Sequence, residues 1–598
     1  MRGIQETLPR LPVPTIEQTL QTYLRAVRPL LSDAEYSHTL ELVQRFKQSP
    51  GPRLQLMLEG RAANTVNWLS DWWREVAYLK PRTPVVVYSN GAVLFPKQDY
   101  TDKEGQLRFA AKVVAAVLDY KAMIDGQTLT VDMMGGQRLC MSQHSQMLSG
   151  CRIPGVELDN HVLHPTTGPN PPRHITVLHN NQVFSLDVYG EDSRPLDTVQ
   201  LYQQLETIVE MSPKPVPSIG ILTTRDRASW ARNYSTIISD QANRSAMEDI
   251  QRSICVLCVD GEGQPPAGSD HARSLGLAQM LHGGGSSWNS ANRFFDKILQ
   301  FIIGVKGVCG LNLEHTPADG PPIAAIAQHV LAFCEKHQAP GLRASGAMTA
   351  PRKLLTELSG DILRNIAESK VEADRLVNDV DMQVWVYDRY GRDFPKSVQL
   401  SPDGYVQVVL QLAYFRLYDE PCATYESGSL RRFQQGRTDT IRSCSVDSHN
   451  FTRAMEDRSV SREVKVELFK KAVVAHRKYT DQVISGNGID RHLLGWKLAA
   501  AEAGLGVPEL HSDVGYSKFF YFKLSTSQVP VLHDMVLGFG AVVPDGYGVC
   551  YSPHASWIAF SVSSYLSCPQ TDSKRLASTM KQCLDDIQTL LGGPHAKV

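Results

Sequence analysis

Apolar residues recur along the chain with two periods, and the switch between them marks the elements. Leu20, Leu24 and Val27 lie three and four apart, which lines one face of a helix; Thr15 and Gln18 ahead of them form a capping-box pattern, and Pro29 limits the run. From about residue 84 short strand-like runs take over. VVVY (85–88) and AVLF (92–95) flank Ser89-Asn90-Gly91, and ITVLH (175–179) and QVFSLDV (182–188) flank Asn180-Asn181, so both pairs read as hairpins. Between them LRFAAKVVAAVLDYKAMI (107–124) reads as a helix. SICVLCV (253–259) is a strand, and FIIGVKGVCGLNLEH (301–315) is two strands joined at Val305 to Gly307. The helix PPIAAIAQHVLAFCEKH (321–337) follows, which puts His315 at a strand end, on the turn into a helix.

Gln338 to Lys353 is rich in Gly, Pro and Ala and is the candidate connection between two halves. Beyond it VQVVLQLAYFRLYD (406–419), REVKVELFKKAVVAHRKYTDQVI (462–484) and LLGWKLAAAEA (493–503) read as helices. KFFYFKLS (518–525) and WIAFSVSSYL (557–566) read as strands, and a final helix runs from about Lys574 to Leu591. The segments lack a strand–helix–strand rhythm, which predicts an α/β fold of mixed sheets with helices packed on them.

Composition narrows the function classes. At 598 residues the chain is about four times the ~150-residue domain size, so two to four domains are expected. Lys and Arg total 61 against 62 Asp and Glu, so no global field draws the chain to nucleic acid or an anionic membrane, and any anion site is local. Apolar stretches such as Ala110 to Leu118 and Phe301 to Val305 are broken by Lys112 and Lys306, well short of the ~18 residues of a membrane span. Met1 to Val13 has no apolar core of a secretory signal. The 11 Cys are scattered and odd in number, which argues for reduced thiols in an intracellular compartment; Cys255 and Cys258 stand alone in an apolar run and read as buried strand. Ala596-Lys597-Val598 has only a loose likeness to the small-basic-large peroxisomal address.

His315 alone among the 18 His begins H-x-x-x-D-G, as His315-Thr316-Pro317-Ala318-Asp319-Gly320. A neutral imidazole there can take a proton from a hydroxyl or thiol, and a nearby carboxylate can orient the ring. Chance gives about 0.07 matches at this composition, so taken alone a surface turn is the plainer explanation. No G-x-S-x-G elbow, phosphate-binding loop, dinucleotide fingerprint, H-E-x-x-H or His/Cys cluster occurs, and His282-Gly283-Gly284-Gly285 reads as a tight backbone turn. Ser525-Thr526-Ser527-Gln528 follows an apolar strand, where a hydroxyl can donate to an oxyanion, an interaction worth about 3 kcal/mol. Arg392 and Lys396 flank Asp393-Phe394-Pro395 in a loop that can hold a phosphate, although such pairs usually form a solvated face. Arg431, Arg432, Arg437 and Arg442 with Asp439 suggest an internal ion-pair lattice. Arg491, beside Asp490 and His492 at a helix start, is ambiguous alone.

Together these pieces resemble a known family. LPRLPVP (8–14), NTVNWLSDWW (64–73), QLRFAAK (106–112), LHGGGSSWNSANRFFDKILQF (281–301), EHTPADGPP (314–322), TYESGSLRRFQQGRTDTIRS (424–443), LSTSQVP (524–530) and VVPDGYGVCYSPH (542–554) look like the carnitine/choline acyltransferases. The likeness spans nearly the whole chain, which overturns the surface-turn explanation of His315.

The resemblance implies transfer of an acyl group between coenzyme A and an amino-alcohol hydroxyl, with neither metal nor covalent acyl-enzyme. It implies two similar halves, each like chloramphenicol acetyltransferase, over 64–357 and over 1–63 with 358–598, and an active-site channel between them. His315 would be the general base, Asp319 would orient it, and Ser527 would stabilise the oxyanion, with Ser525 and Thr526 bounding the pocket. Members acting on carnitine more often have Glu where Asp319 stands. Coenzyme A contacts would come from Arg392 and Lys396, facing its 3′-phosphate, and from Ser397, Ser401, Asp403, Arg477 and Gln528. The family commonly has Lys at the Arg392 position.

For the alcohol, Tyr425, Ser427 and Thr438 match carboxylate-side contacts, Arg491 matches the guanidinium that neutralises the carnitine carboxylate, and Phe539 would face the trimethylammonium. Choline-specific members carry Asn at the Arg491 position and V-D-N where Thr438-Asp439-Thr440 stands. A buried Arg facing choline would be an unpaired charge beside a cation, at a cost of several kcal/mol, so carnitine is the expected acceptor. Leu537, where long-chain members have Gly, favours acetyl and other short chains, and Gly538 would also border the acyl pocket. A monomer in mitochondria or peroxisomes is expected. The alternatives are acetyl transfer to choline, medium-chain transfer to carnitine, or a non-catalytic acyl-CoA-binding relative.

Overall fold

In the computed structural model, the described residues are 2–262, 272–337, 348–355 and 357–592; Ala596-Lys597-Val598 and residues 338–347 of the connection lie outside them. Fourteen strands build the two large sheets: β1 (Gly91–Leu94), β2 (His174–His179), β3 (Gln182–Asp187), β4 (Val256–Val259), β5 (Leu299–Ile303), β6 (Cys309–Leu313), β7 (Arg352–Leu354), β8 (Val380–Tyr387), β9 (Thr424–Ser429), β10 (Thr438–Ile441), β11 (Leu524–Gln528), β12 (Val536–Gly538), β13 (Tyr547–Pro553) and β14 (Ile558–Tyr565). The fold is mixed α/β, as the pattern predicts. Among the described residues no helix is long and apolar enough to cross a membrane.

The first sheet has eight strands in the order β7-β3-β2-β4-β5-β6-β1-β12, and the second has six in the order β8-β14-β13-β11-β9-β10. The two share one topology. The run β3-β2-β4-β5-β6-β1 matches β10-β9-β11-β13-β14-β8 strand for strand, with three central parallel strands and antiparallel pairing on either side. They differ in the link after the central strand. In the first half it is the helix Ala272–His282, which packs across β1 and onto β8 of the other sheet, where its Ser274 Oγ accepts from Val384 N at 2.9 Å. In the second half it carries β12, which leaves its own sheet and pairs antiparallel with β1, Val93 opposite Leu537. Each half thus lends its crossover to the other.

Sequence explains most of these elements locally. β4 lies between two parallel neighbours and is buried on both faces, which is why it reads as a continuous apolar run. Its Cys258 and the adjacent Cys255 are free thiols, each pushed up to about 12 by burial. Asn180 and Asn181 take φ 49° and 63°, the left-handed pair that closes a two-residue hairpin between β2 and β3. Thr15 caps the helix Ile16–Val27, accepting from Gln18 N at 3.3 Å. The apolar faces of that helix and of Asp33–Gln48 and Gly51–Asn64 join Trp496 and Phe519 from the C-terminal half in one core.

Four expectations need correction. VVVY is a turn, not a strand: both edges of β1 are taken by β6 and β12, and Val87, at φ 71°, is held by Asn90 Oδ1 at 2.7 Å, while the three valines bury against Phe295, Ala541 and Tyr565. KFFYFKLS divides between the helix Val514–Phe520 and β11, because Tyr516, Phe519 and Phe520 have helical spacing and Phe519 packs edge-on to Tyr23 at 5.1 Å. The segment around Arg392 and Lys396 is the short helix Asp393–Ser397 rather than a loop. The expected connection also ends early, since Lys353 already belongs to β7.

The close approach of β6 to β1 needs glycine at 310, where a Cβ would sit 2.0 Å from the Val93 carbonyl oxygen and 2.9 Å from Met280 Sδ. Gly310→Ala is therefore expected to lower unfolding stability by about 1–3 kcal/mol through overpacking. Urea denaturation followed by fluorescence checks this, and an unchanged midpoint would contradict it.

Candidate active site

His315 stands two residues beyond β6, and the chain then turns through Asp319 into the helix Gly320–Lys336, which has Pro in its first turn. The imidazole keeps 31% of its side-chain exposure and opens onto a cavity of about 430 Å³. One face of the ring lies against Tyr78, stacked at 5.3 Å and 11°. Burial pushes the His315 pKa below its ordinary value; Asp319 pulls it up, Arg437 pushes it down, and its own carbonyl favours the proton. The ring is accordingly neutral near neutral pH.

Asp319 does not hydrogen-bond His315. Its Oδ1 lies 4.0 Å from Nδ1, so it acts on the ring as a fixed nearby charge. The carboxylate is held by other groups: Oδ2 accepts from Arg437 Nε at 2.9 Å and Gln143 Nε2 at 3.0 Å, Oδ1 from Arg437 Nη2 at 3.1 Å, and Asp319 N donates to Gln143 Oε1 at 2.7 Å. Burial alone would raise the Asp319 pKa, but Arg437, His315 and Gln143 outweigh it and hold the group below its ordinary value. Arg437 also donates to the carbonyls of Thr316 at 2.6 Å and His315 at 3.1 Å, which pins the turn.

The facing wall comes from the second sheet. β9 and β11 run parallel with Tyr425 opposite Ser525, and Tyr425, Ser427, Ser525, Ser527 and Gln528 border the same cavity as His315. Thr526 Oγ1 donates to the Tyr425 carbonyl at 2.8 Å and accepts from Gln407 Nε2 at 2.9 Å, tying the two strands together. Ser527 Oγ has no hydrogen-bond partner among the described residues, which leaves it available to a ligand.

Arg491, at the start of the helix Asp490–Glu502, is 4% exposed and lies behind this wall. It donates to Thr438 O at 3.1 Å, Thr440 Oγ1 at 3.4 Å and the Tyr425 hydroxyl at 3.4 Å, and its guanidinium covers the Trp73 ring at 3.4 Å. Thr438, Tyr425 and Trp73 all line the cavity. Among the described residues no carboxylate comes within 4.0 Å of this guanidinium. Asp439 accepts the backbone N–H groups of Thr440 at 2.7 Å and Arg491 at 3.3 Å but not the Arg491 guanidinium, and burial holds its own pKa up to about 7 against the Arg491 charge.

Leu537 and Phe539 border the cavity near His315. Gly538 opens no extra space, because a Cβ there would meet Leu277 Cδ2 at 2.6 Å. The strand alternates faces, so Leu537 packs with the core that holds Val93 and Leu313, whereas Val536 packs with Leu277.

Several residues expected around coenzyme A lie outside the cavity lining. Arg392 and Lys396 are exposed; Ser397 donates to Phe394 O at 2.7 Å; Ser401 caps the helix Pro402–Tyr418, accepting from Gly404 N at 3.3 Å; Arg477 pairs with Asp481 at 3.2 Å. Asp403 accepts from the Tyr551 hydroxyl at 2.6 Å and falls in a group with Glu426 and His476 whose ligand atoms lie within 4.8 Å of one another. In that group His476 Nε2 and Glu426 Oε2 are 2.7 Å apart. Burial, with Asp403, raises the Glu426 pKa to about 8. Burial pushes His476 down, but Glu426 overcomes this and holds it above its ordinary value, so the pair retains a proton near neutral pH.

Sequence reading did not single out Tyr78 or Gln143. Tyr78 lies just past NTVNWLSDWW, in a π-helical turn, Glu75–Leu79, a rare form often found at functional sites. Nothing local marks Gln143.

Comparison with known proteins agrees over the full length. The family described as "Choline/Carnitine o-acyltransferase" matches residues 11–582. Carnitine O-acetyltransferase of Rattus norvegicus is 48% identical over 99% of this chain and 95% of its own length, and that of Columba livia is 47% identical over the same shares. Choline O-acetyltransferase of Mus musculus is 38% identical over 98% of this chain and 92% of its own length.

Asp319→Asn would strand Arg437 as a buried cation, so it is expected to destabilise the fold by about 3–5 kcal/mol. Equilibrium unfolding in urea tests this; a loss below about 1 kcal/mol would mean that the two carbonyls alone satisfy the guanidinium.

Proposed function

This chain belongs to the choline/carnitine O-acyltransferase family, and from that premise we propose that it moves an acetyl or other short acyl group reversibly between coenzyme A and the hydroxyl of L-carnitine. The observation that carries the acceptor is Arg491. A buried guanidinium with no carboxylate partner among the described residues, set against the wall of the cavity that holds His315, is matched by an acceptor that brings its own carboxylate. Choline offers none, and its cation would face that charge across Tyr425 and Thr438.

In this reading the neutral imidazole of His315 takes the proton of the carnitine hydroxyl as the oxygen attacks the thioester carbonyl carbon. The tetrahedral oxyanion accepts a hydrogen bond from Ser527, whose hydroxyl is free for it. The carbon–sulfur bond then breaks, and His315 returns the proton to the leaving thiolate, giving the acyl ester and free coenzyme A. The reverse reaction starts with His315 taking the thiol proton. No bond to the protein forms. Asp319, held by Arg437 and Gln143, stabilises the transient imidazolium by charge at 4.0 Å rather than by a hydrogen bond.

Leu537 on the cavity wall, with Leu277 filling the space behind Gly538, supports a short acyl chain. We assign the exposed Arg392 and Lys396 to the 3′-phosphate of coenzyme A, with Ser397, Ser401, Asp403, Arg477 and Gln528 along the same molecule. Tyr425, Ser427 and Thr438 take the carboxylate side of carnitine, and Phe539 its trimethylammonium. A monomer in mitochondria or peroxisomes fits the 11 free cysteines of a reducing compartment.

His315→Ala is expected to abolish transfer in a thiol-trapping assay with acetyl-CoA and carnitine, while calorimetry still detects binding of both. The base works deprotonated and its pKa is lowered, so kcat/KM should hold through neutral pH and fall only on the acid side, with an inflection below 6.5. Retained turnover, or an inflection above 6.5, would remove His315 as the base. Arg491→Asn should raise the KM for carnitine about 10- to 100-fold, the loss of one charge-assisted contact, and shift preference toward choline. An unchanged preference would count against the carboxylate clamp.

A further inference from the structure

Behind His315 lies a cluster of buried charges that the proposed chemistry does not use. Its centre is Arg152, 2% exposed, on the short strand Gly150–Ile153. Nε of Arg152 donates to Asp159 Oδ2 at 2.7 Å, a carboxylate that also takes Arg227 at 2.7 Å and Arg82 at 3.0 Å. The other two nitrogens diverge. Nη1 donates to Glu314 Oε1 at 3.2 Å, and Nη2 donates to the carbonyl of Tyr78.

Both contacts lead to the imidazole. Glu314 immediately precedes His315, is fully buried, and folds back on the turn that follows: its carboxylate accepts from Thr316 N at 3.2 Å and Thr316 Oγ1 at 2.5 Å. Tyr78 supplies the ring stacked on His315. The carbonyl next in sequence, Leu79 O, accepts from Asp159 N at 3.1 Å and from Arg82. One planar fork therefore joins the backbone that carries the stacking ring to the carboxylate that braces the base.

We infer that Arg152 is a positioning residue for His315, setting the separation between the Tyr78 ring and the 315–316 turn so that the imidazole is held flat and shielded on one face. The inference rests on His315 being the base. A lysine can keep the charge but not the fork, since a single ammonium cannot serve Asp159, Glu314 and the Tyr78 carbonyl in one plane. The other charged groups facing His315 are Asp319, Arg437 and Glu314, and the tests leave Asp319 and Arg437 unchanged.

The test compares Arg152→Lys with Arg227→Lys. Arg227 is equally buried and binds the same Asp159, but its other partner is Asp296 at 2.6 Å, with no hydrogen bond to Tyr78 or Glu314. Arg152→Lys is expected to lower kcat about 10- to 100-fold with KM for both substrates within about threefold. It should also move the acid limb of kcat/KM up toward 6.5 as the loosened ring gains water. Arg227→Lys should lower the thermal midpoint and leave kcat and the acid limb near wild type.

Glu314→Gln, a milder change at the other end of the fork, should reproduce the kcat loss with KM within about threefold; it also removes a charge that favours the imidazolium, which pushes its acid limb down, so kcat decides the matter if Arg152→Lys does not fold. Wild-type kcat and acid limb in Arg152→Lys, or wild-type kcat in Glu314→Gln, would overturn the inference. So would an equal kcat loss in Arg227→Lys, which would make the effect structural only. His315→Ala separates the two readings: if it is inactive while the Arg152 and Glu314 variants behave as wild type, only the positioning role falls, and if it turns over, the base assignment falls with it.

Discussion

A single guanidinium holds the two walls of the site in register. Arg437 enters from the second sheet, just ahead of β10, and ends on the first, where it takes the Asp319 carboxylate and the carbonyls of His315 and Thr316. Burying these groups is tolerable only because each finds its partner across the seam. Remove the seam and the turn after β6 has an unpaired carboxylate, while the strand before β10 has an unpaired cation. The position of the base is therefore a property of the docked sheets rather than of either one.

The shared topology explains why the seam is where it is. Both sheets have the same strand order, and in each the link after the central parallel strand is given to the neighbour: a helix in one direction, the strand β12 in the other. β12 carries Leu537 to the first sheet and Phe539 just beyond it, beside His315, although their chain neighbours belong to β11 and β13 of the second. Arg491 backs the cavity from a helix packed on the N-terminal helix Gly51–Asn64, and Tyr425 lines it from β9. The cavity thus gathers an acid–base group and hydroxyls, with a cation behind its wall, that no single layer contains.

Much of this was legible in the chain. Long apolar runs, such as 107–124 and 406–419, became helices buried on most faces, where length rather than spacing chose the element. The apolar run of β4 needed both faces buried, and Asn180-Asn181 could tolerate the left-handed turn that closes its hairpin. The errors fell on short apolar runs, where period cannot choose. VVVY looked like a strand until β6 and β12 occupied both sides of β1, and the aromatics at 516, 519 and 520 bury equally well on a helix. The quoted motifs also pointed to His315 and Ser527, which line one cavity, while Arg491, outside those motifs, lies behind its wall.

What the chain alone could not indicate is which groups touch those residues. Tyr78, Gln143 and Arg152 stand more than 160 positions before His315, in segments with no motif, and Asp319 sits in the motif yet spends its hydrogen bonds on Arg437 and Gln143. Sequence by itself determined several long helices, about half of the sheet strands, the family and the candidate side chains, since these depend on spacing and residue type along a few turns of backbone. Tertiary structure alone decided how the base is shielded, which charge faces it, and that Arg491 has no carboxylate partner among the described residues. Those depend on the distance between surfaces brought together by sheet docking, and a one-dimensional pattern of burial says that a face is covered without saying by what.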